Sequence, residues 1–111
     1  MQILLVDDED DARNLLARTL RGEGYVVDEC ADAALALARL EATTYDVLIT
    51  DQSMPGMSGL DLVVAARRLQ RGLRCIVASG YSQPPGSESG DTTWITKPLD
   101  LEEIFALLGP A

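Results

Sequence analysis

The sequence contains no histidine, a single lysine and few aromatic residues. The absence of histidine excludes hydrolases whose serine or cysteine nucleophile depends on a histidine base, and it removes a frequent zinc ligand. No apolar run reaches the roughly 18 residues that a membrane-spanning helix needs, and no signal-peptide layout is present. We therefore expect a cytoplasmic protein that makes no contact with the membrane.

Basic residues are also scarce, since nine lysines and arginines stand against 18 acids and leave a net charge of −9. A nucleic-acid partner requires a basic face, so we expect none. A basic protein partner or a bound cation is compatible with this charge. Cys30 and Cys75 lie in apolar stretches, which predicts buried thiols in a reducing compartment.

Apolar residues are plentiful, because 47% of the 111 residues are hydrophobic. A chain of this length forms one domain, which we place over residues 1–111. Short aliphatic runs alternate with amphipathic segments, and the alternation predicts an α/β fold with a parallel sheet. The predicted strands span residues 2–6, 25–30, 45–50, 73–79 and 92–96, and the predicted helices span residues 10–22, 32–43, 59–71 and from Asp100 onward.

The first predicted helix follows a run of acids, Asp7–Asp11. Asp7 and Asp8 fall at the strand end, and the remaining acids fall in the first helical turn, where the helix dipole favours them. The spacing of apolar residues predicts a stripe that faces the core, with arginines on the outside. The predicted stripe is Ala12, Leu15, Leu16 and Leu20, and the predicted outer residues are Arg13, Arg18 and Arg21.

Polar residues stand at the carboxyl ends of the predicted strands. They are Asp7, Asp8, Asp51, Ser79 and Lys97. Because the carboxyl ends of parallel strands meet at one edge of the sheet, we expect these residues to lie close together. Three carboxylates repel one another unless a cation joins them, and Mg²⁺ favours carboxylates, water and a phosphate. A compact ammonium group on a flexible stem suits contact with a phosphoryl oxygen.

These residues resemble the motifs of the receiver domain of two-component response regulators. The motifs are the acid pair in "LLVDDE", the segment "DQSMPGMSG", the hydroxyl in "VASGY" and the "TKP" near the end, and together they cover nearly the whole chain. The segments "MPGMSG" and "SGY" are most similar to those of receivers appended to hybrid sensor histidine kinases. The resemblance implies a flavodoxin-like, doubly wound, five-stranded parallel sheet in the order 2-1-3-4-5.

The segment between the fourth and fifth strands departs from the family. It is rich in proline, glycine and serine and shorter than the family pattern. We therefore expect the helix between these strands to be short, absent or mobile.

The resemblance also implies roles for individual residues. Asp51 is implied to be the phospho-acceptor, which takes a phosphoryl group from a phosphohistidine on a sensor histidine kinase or a histidine phosphotransfer domain. Lys97 and Ser79 are implied to contact the phosphoryl group. The implied Mg²⁺ ligands are Asp7, Asp8, Asp51 and the backbone carbonyl of Ser53, and the implied switch residues are Ser79 and Trp94. We expect no turnover of an external substrate, and so no enzyme beyond self-phosphorylation and dephosphorylation.

Two other classes of function stay open. The first is a receiver-like module that only binds partners. Such a module is expected to lack one of the acids or the lysine, whereas this chain has all three acids and the lysine. A nucleotide or flavin binder needs a small-residue loop after the first strand, where this chain is acidic. A haloacid-dehalogenase-type phosphatase needs Asp-x-Asp, whereas the sequence here is "DQS". The sequence leaves the oligomeric state undetermined.

Overall fold

The structure is a computed structural model, and it describes residues 1–80 and 92–111. The predicted alternation of strands and helices is confirmed for these residues. The elements are β1 (Gln2–Val6), α1 (Asp10–Gly22), β2 (Val26–Cys30), α2 (Ala33–Ala42), β3 (Val47–Asp51), α3 (Gly59–Leu69), β4 (Arg74–Ser79), β5 (Thr92–Thr96) and α4 (Leu101–Leu108). The helix predicted to be short, absent or mobile falls on residues 81–91, outside the described residues.

The five strands form one parallel sheet in the order β2-β1-β3-β4-β5. The predicted flavodoxin-like order is therefore confirmed. The central strand β3 is buried along its whole length, and β1 is buried except at Gln2. Central parallel strands are covered on both faces, which explains why their sequences are continuous aliphatic runs rather than alternating ones.

Helices cover both faces of the sheet. The buried residues of α2 and α3 belong to one hydrophobic cluster, and those of α1 and α4 belong to a second. Side chains such as Leu62 and Ile104 are fully buried, and each contributes about 2 kcal/mol through removal from water. Cys30 and Cys75 are buried free thiols, as predicted.

Side-chain caps fix where three of the helices begin. Asp32 accepts a hydrogen bond from the backbone N–H of Leu35 at the start of α2, and Ser58 accepts one from Asp61 at the start of α3. Asp100 caps α4 in the same way. Each such cap stabilises its helix by about 1 kcal/mol. Because helices that follow parallel strands begin at the carboxyl edge of the sheet, the caps also fix the loops at that edge.

The predicted orientation of α1 is partly wrong. Leu20 is buried as expected, but Leu15 is 64% exposed and Ala12 is also exposed. The small Ala17 is buried instead and lets the helix approach the sheet. Arg13, predicted to lie outside, keeps only 12% of its side chain exposed. No helix among residues 1–80 and 92–111 is long and apolar enough to cross a membrane.

Candidate functional site

Three carboxylates converge at the carboxyl edge of the sheet, as the sequence predicts. Asp7 and Asp8 follow β1, and Asp51 is the last residue of the neighbouring strand β3. One carboxylate oxygen from each residue lies within 4.8 Å of the other two. The parallel pairing of β1 with β3 is what places the two strand ends side by side.

The three acids differ in their exposure to water. Asp51 is only 6% exposed, Asp7 is half-buried and Asp8 is exposed. Burial raises the pKa of the Asp7 carboxyl above its usual range, and the charge of Asp51 raises it further. A hydrogen bond from the Glu9 N–H, at 2.9 Å, opposes that shift only in part. The surroundings of Asp7 therefore favour neutralisation of its carboxylate, by a proton or by a cation.

The donor set fits Mg²⁺, since hard carboxylate oxygens are the ligands that this ion prefers. Neighbouring ligand atoms of an octahedral Mg²⁺ lie about 3 Å apart and opposite ones about 4 Å apart, as follows from bonds of about 2.1 Å. The observed limit of 4.8 Å between the oxygens of Asp7, Asp8 and Asp51 is only slightly wider. Small side-chain movements therefore suffice to close this set on one ion. Ser53 is exposed in the loop after β3, and ligation by its carbonyl stays a prediction.

Lys97 brings a positive charge to the same place. Its Nζ lies 2.6 Å from Oδ1 of Asp51, and its backbone N–H donates to the Ser79 carbonyl at 2.8 Å. Burial alone lowers the pKa of Lys97, but the hydrogen bond to Asp51 and the charges of Asp51, Asp7 and Glu9 together outweigh burial and raise it. The ammonium group is therefore protonated at neutral pH, and it faces the most buried of the acids.

The two predicted switch residues lie on neighbouring strands. Ser79 ends β4 and is 5% exposed. Trp94 lies on β5 and is paired with Val77 of β4. Its side chain is partly buried and packs against the hydrophobic cluster that contains the buried residues of α2 and α3, as do Met54 and Met57. Its indole Nε1 is buried and has no hydrogen-bond acceptor among the described residues. Movement of Trp94 stays a prediction.

Gly59 is a contributor that the sequence analysis does not identify as part of the site. A Cβ atom at this position would lie 2.5 Å from the backbone oxygen of Asp51, closer than packed atoms approach. The Gly59 N–H also donates to the Gln52 carbonyl at 3.1 Å, and the Gln52 side chain accepts from Leu60 at 2.8 Å. The beginning of α3 is therefore packed directly against the end of β3. A glycine immediately after the N-cap is the sequence signal for this approach.

Arg13 is a second residue that the sequence analysis misses, because it places this side chain on the outside. Its Nη1 donates to the backbone carbonyl of Asp7 at 2.8 Å. A base in the first turns of a helix, shortly after a run of five acids, is too general a pattern to predict that contact.

Known proteins share this fold and these motifs. The sequence profile of the response regulator receiver domain matches residues 3–109. The transcriptional regulatory protein TcrA of Mycobacterium tuberculosis is 34% identical over 97% of this chain, which spans only 44% of that protein. An uncharacterized 14.6 kDa protein of Leptolyngbya boryana is 35% identical over 97% of this chain and 87% of its own length.

Solved structures agree with these matches. The receiver domain of the hybrid histidine kinase CckA is 36% identical, with a TM-score of 0.83 over 98% of this chain and 100% of that one. The response regulator TrrA of Thermotoga maritima is 31% identical, with a TM-score of 0.86 over 96% of this chain and 95% of that one, in a complex with Mg²⁺ and BeF. TrrA has also been solved in complex with the histidine kinase ThkA.

The match to CckA agrees with the predicted likeness to receivers of hybrid sensor kinases. A profile that covers almost the whole chain, together with relatives of about one-third identity and the same strand order, establishes the family. This chain belongs to the response regulator receiver domains.

Proposed function

We propose that this domain accepts a phosphoryl group from a phosphohistidine onto Asp51 in a Mg²⁺-dependent reaction, and that it then switches conformation to control a partner or an attached domain. The observation that carries the proposal is the Asp51 carboxylate, which is 6% exposed, lies 2.6 Å from Lys97 and is flanked by Asp7 and Asp8. The TrrA structures with Mg²⁺–BeF and with a histidine kinase support the proposal by analogy.

The chemical step is a transfer between two nucleophiles. A carboxylate oxygen of Asp51 forms a bond to phosphorus, the bond from phosphorus to the imidazole nitrogen breaks, and its electron pair stays on that nitrogen. The product is an acyl phosphate on Asp51. When bound between Asp7, Asp8 and Asp51, Mg²⁺ supplies positive charge that lowers the repulsion between the carboxylate and the phosphoryl oxygens.

The neighbouring side chains position and neutralise the group that is transferred. Lys97, already in contact with one oxygen of Asp51, is within reach of a phosphoryl group bonded to that carboxylate. The hydroxyl of Ser79 lies at the end of the strand next to Asp51 and can donate to a phosphoryl oxygen. Ser79 lies on β4, next to β5, which carries Trp94. A movement of Ser79 towards the phosphoryl group can therefore change the equilibrium between two conformations of β5.

The proposed partner is a sensor histidine kinase or a histidine phosphotransfer domain. We place the domain in the cytoplasm, since two buried free thiols suit a reducing compartment. With an excess of nine negative charges, the domain is expected to bind no nucleic acid. It modifies only itself, and so is not an enzyme that turns over an external substrate.

The proposal predicts covalent labelling that depends on Mg²⁺. Acetyl phosphate in the presence of Mg²⁺ should add one phosphoryl group, seen by intact-mass spectrometry, and a chelator should prevent the addition. The emission of Trp94, the single tryptophan, should change in parallel and should also change with beryllium fluoride. Absence of a mass shift with acetyl phosphate and with a panel of phosphorylated histidine kinases would contradict the proposed function.

A surface beside the site suits the kinase partner. Helix α1 and the residues after Lys97 form a groove of about 300 Å³ lined by Ala12, Leu15, Leu16, Thr19, Leu99 and Leu101. The lining residues follow closely on site residues in the sequence, since Ala12 follows the acids Asp7–Asp11 and Leu99 comes shortly after Lys97. A phosphohistidine can reach Asp51 only if its carrier covers the surface around that site. Asp11 and Glu102 are exposed and adjoin the lining residues Ala12 and Leu101 in the sequence, so a partner with an apolar ridge and a basic rim is complementary.

Replacement of Leu15 should separate docking from chemistry. Leu15→Glu puts a charge into the groove at a position that is 64% exposed, so the fold tolerates the change. We expect the second-order rate of transfer from a phosphorylated kinase to fall about tenfold, as for loss of an interface contact of about 1.4 kcal/mol. Labelling by acetyl phosphate should be unchanged.

The matched control for this experiment is Val64→Glu. Val64 is 49% exposed on α3, which packs on the other face of the sheet. Equal losses of transfer in the two variants would show that the groove of α1 is not the docking surface.

A further inference from the structure

Arg13 makes an unusual set of contacts for a residue on the first turns of a surface helix. Its Nη1 donates to the backbone carbonyl of Asp7 at 2.8 Å and lies 2.9 Å from the Asp10 carboxylate. Its Nε lies 3.4 Å from the Glu29 carboxylate on β2. Only 12% of the side chain is exposed. The guanidinium group therefore joins the end of β1, the start of α1 and the neighbouring strand.

The contact with Asp7 has a specific consequence for the candidate metal ligands. The carbonyl of Asp7 and the N–H of Asp8 belong to one planar peptide unit. Arg13 thus holds the unit that links the two residues, while the N–H of Asp7 donates to the Cys30 carbonyl at 3.1 Å. The backbone of Asp7 is bound on both sides, which restricts the directions in which the carboxylates of Asp7 and Asp8 leave the chain.

The anchor for Arg13 is itself held in place. Glu29 lies 3.1 Å from Arg21, which also donates to the Val27 carbonyl at 2.6 Å. The hydrogen bond of Arg13 goes to the Asp7 backbone rather than to its carboxylate. Arg13 therefore holds the backbone between the two residues without occupying the carboxylate of Asp7, whose Oδ1 accepts a hydrogen bond from the Glu9 N–H at 2.9 Å.

We infer that Arg13 is a positioning residue for the divalent cation, which it serves by holding the Asp7–Asp8 peptide unit in the geometry that binds the ion. The inference rests on the proposed function, because it concerns the same Mg²⁺ site. Groups that orient metal ligands typically change metal affinity by about 10- to 100-fold when they are removed. A flexible Asp7–Asp8 unit loses affinity because the ion must then order both ligands.

The experiment compares Arg13→Met with Arg21→Met. Both variants remove a guanidinium group that bonds Glu29 and a backbone carbonyl, but only Arg13 contacts Asp7. Isothermal titration with MgCl₂ measures the Kd, and thermal unfolding without metal measures the loss of stability. We expect Arg13→Met to weaken Mg²⁺ binding about tenfold. Arg21→Met should leave the Kd at the wild-type value despite a comparable fall in Tm.

Two further variants guard against a failure to fold. Arg13→Lys keeps the charge and the length but cannot bridge the Asp7 carbonyl and Glu29 in the same way, so its Kd should lie between those of wild type and Arg13→Met. Arg21→Lys is its control. A Kd for the Arg13 variants equal to that of the Arg21 variants, in a wild-type protein that binds Mg²⁺, overturns this inference alone. Absence of Mg²⁺ binding by the wild-type protein overturns the Mg²⁺-dependent function proposed above, and this inference with it.

Discussion

Asp51→Asn should abolish phosphoryl labelling. Asparagine keeps the shape of the side chain at this site, where only 6% is exposed, but its amide oxygen is not a nucleophile that can form an acyl phosphate. We expect the labelled fraction to fall at least about 100-fold, both from acetyl phosphate and from a phosphorylated kinase, because the covalent route is removed rather than slowed. Intact-mass spectrometry after equal incubation times measures the loss.

Asp61→Asn is the matched control for this prediction. Asp61 lies exposed in the first turn of α3, and its side chain is outside the carboxylate cluster. Its replacement changes the net charge by the same amount and should leave labelling unchanged. If Asp51→Asn were labelled as fully as the wild type, Asp51 could not be the acceptor. A wild-type protein that binds Mg²⁺ and a kinase but is never labelled would instead indicate a receiver-like module that only binds partners.

The convergence of the site could be predicted because it follows from backbone topology. Continuous aliphatic runs mark β1 and β3 as central strands, and acids directly follow each run. Parallel pairing then leaves no other place for Asp7, Asp8 and Asp51 than one edge of the sheet. The placement of Lys97 near Asp51 follows from the same rule, since β5 ends at that edge too.

The orientation of α1 could not be predicted in this way. Apolar spacing favours Leu15 as a core residue, yet the helix buries Ala17 and leaves Leu15 exposed. A stripe of leucines has the same period whether it packs on the sheet or forms an exposed surface that binds a partner. The bonds of Arg13 to Asp7 and Glu29 also favour the observed rotation. These contacts join residues from separate strands, so no local pattern contains them.

Lys97→Met should slow phosphorylation and weaken the conformational response at Trp94. Methionine preserves the apolar stem of the side chain but removes the ammonium group that lies 2.6 Å from Asp51. During the transfer the ammonium group faces the phosphoryl oxygens, on which negative charge is redistributed in the transition state. Removal of one such preorganised contact typically lowers the rate about 100-fold or more. We expect a loss of that size in the labelling rate with acetyl phosphate. The emission change of Trp94 with beryllium fluoride should also be diminished.

The pH dependence gives a second test of the same residue. The folded protein raises the pKa of Lys97, because its contacts with Asp51 and the nearby acids outweigh the effect of burial. A raised pKa means that the stabilising contribution of the ammonium group is complete below the unfolded pKa and is lost as pH rises through the folded pKa, in the alkaline range. The labelling rate of the wild type should fall over that alkaline range, and the rate of Lys97→Met should lack this fall.

Two controls separate the role of Lys97 from a general loss of positive charge. Arg71→Met removes an exposed charge after α3 and should leave the labelling rate unchanged. Lys97→Arg keeps a charge but presents a planar, wider group, so its rate should lie between those of the wild type and Lys97→Met. Because Lys97→Met leaves three carboxylates without their ammonium partner, Mg²⁺ should raise its Tm by more than it raises that of the wild type. Equal labelling rates for Lys97→Met and Arg71→Met would show that Lys97 only stabilises the fold.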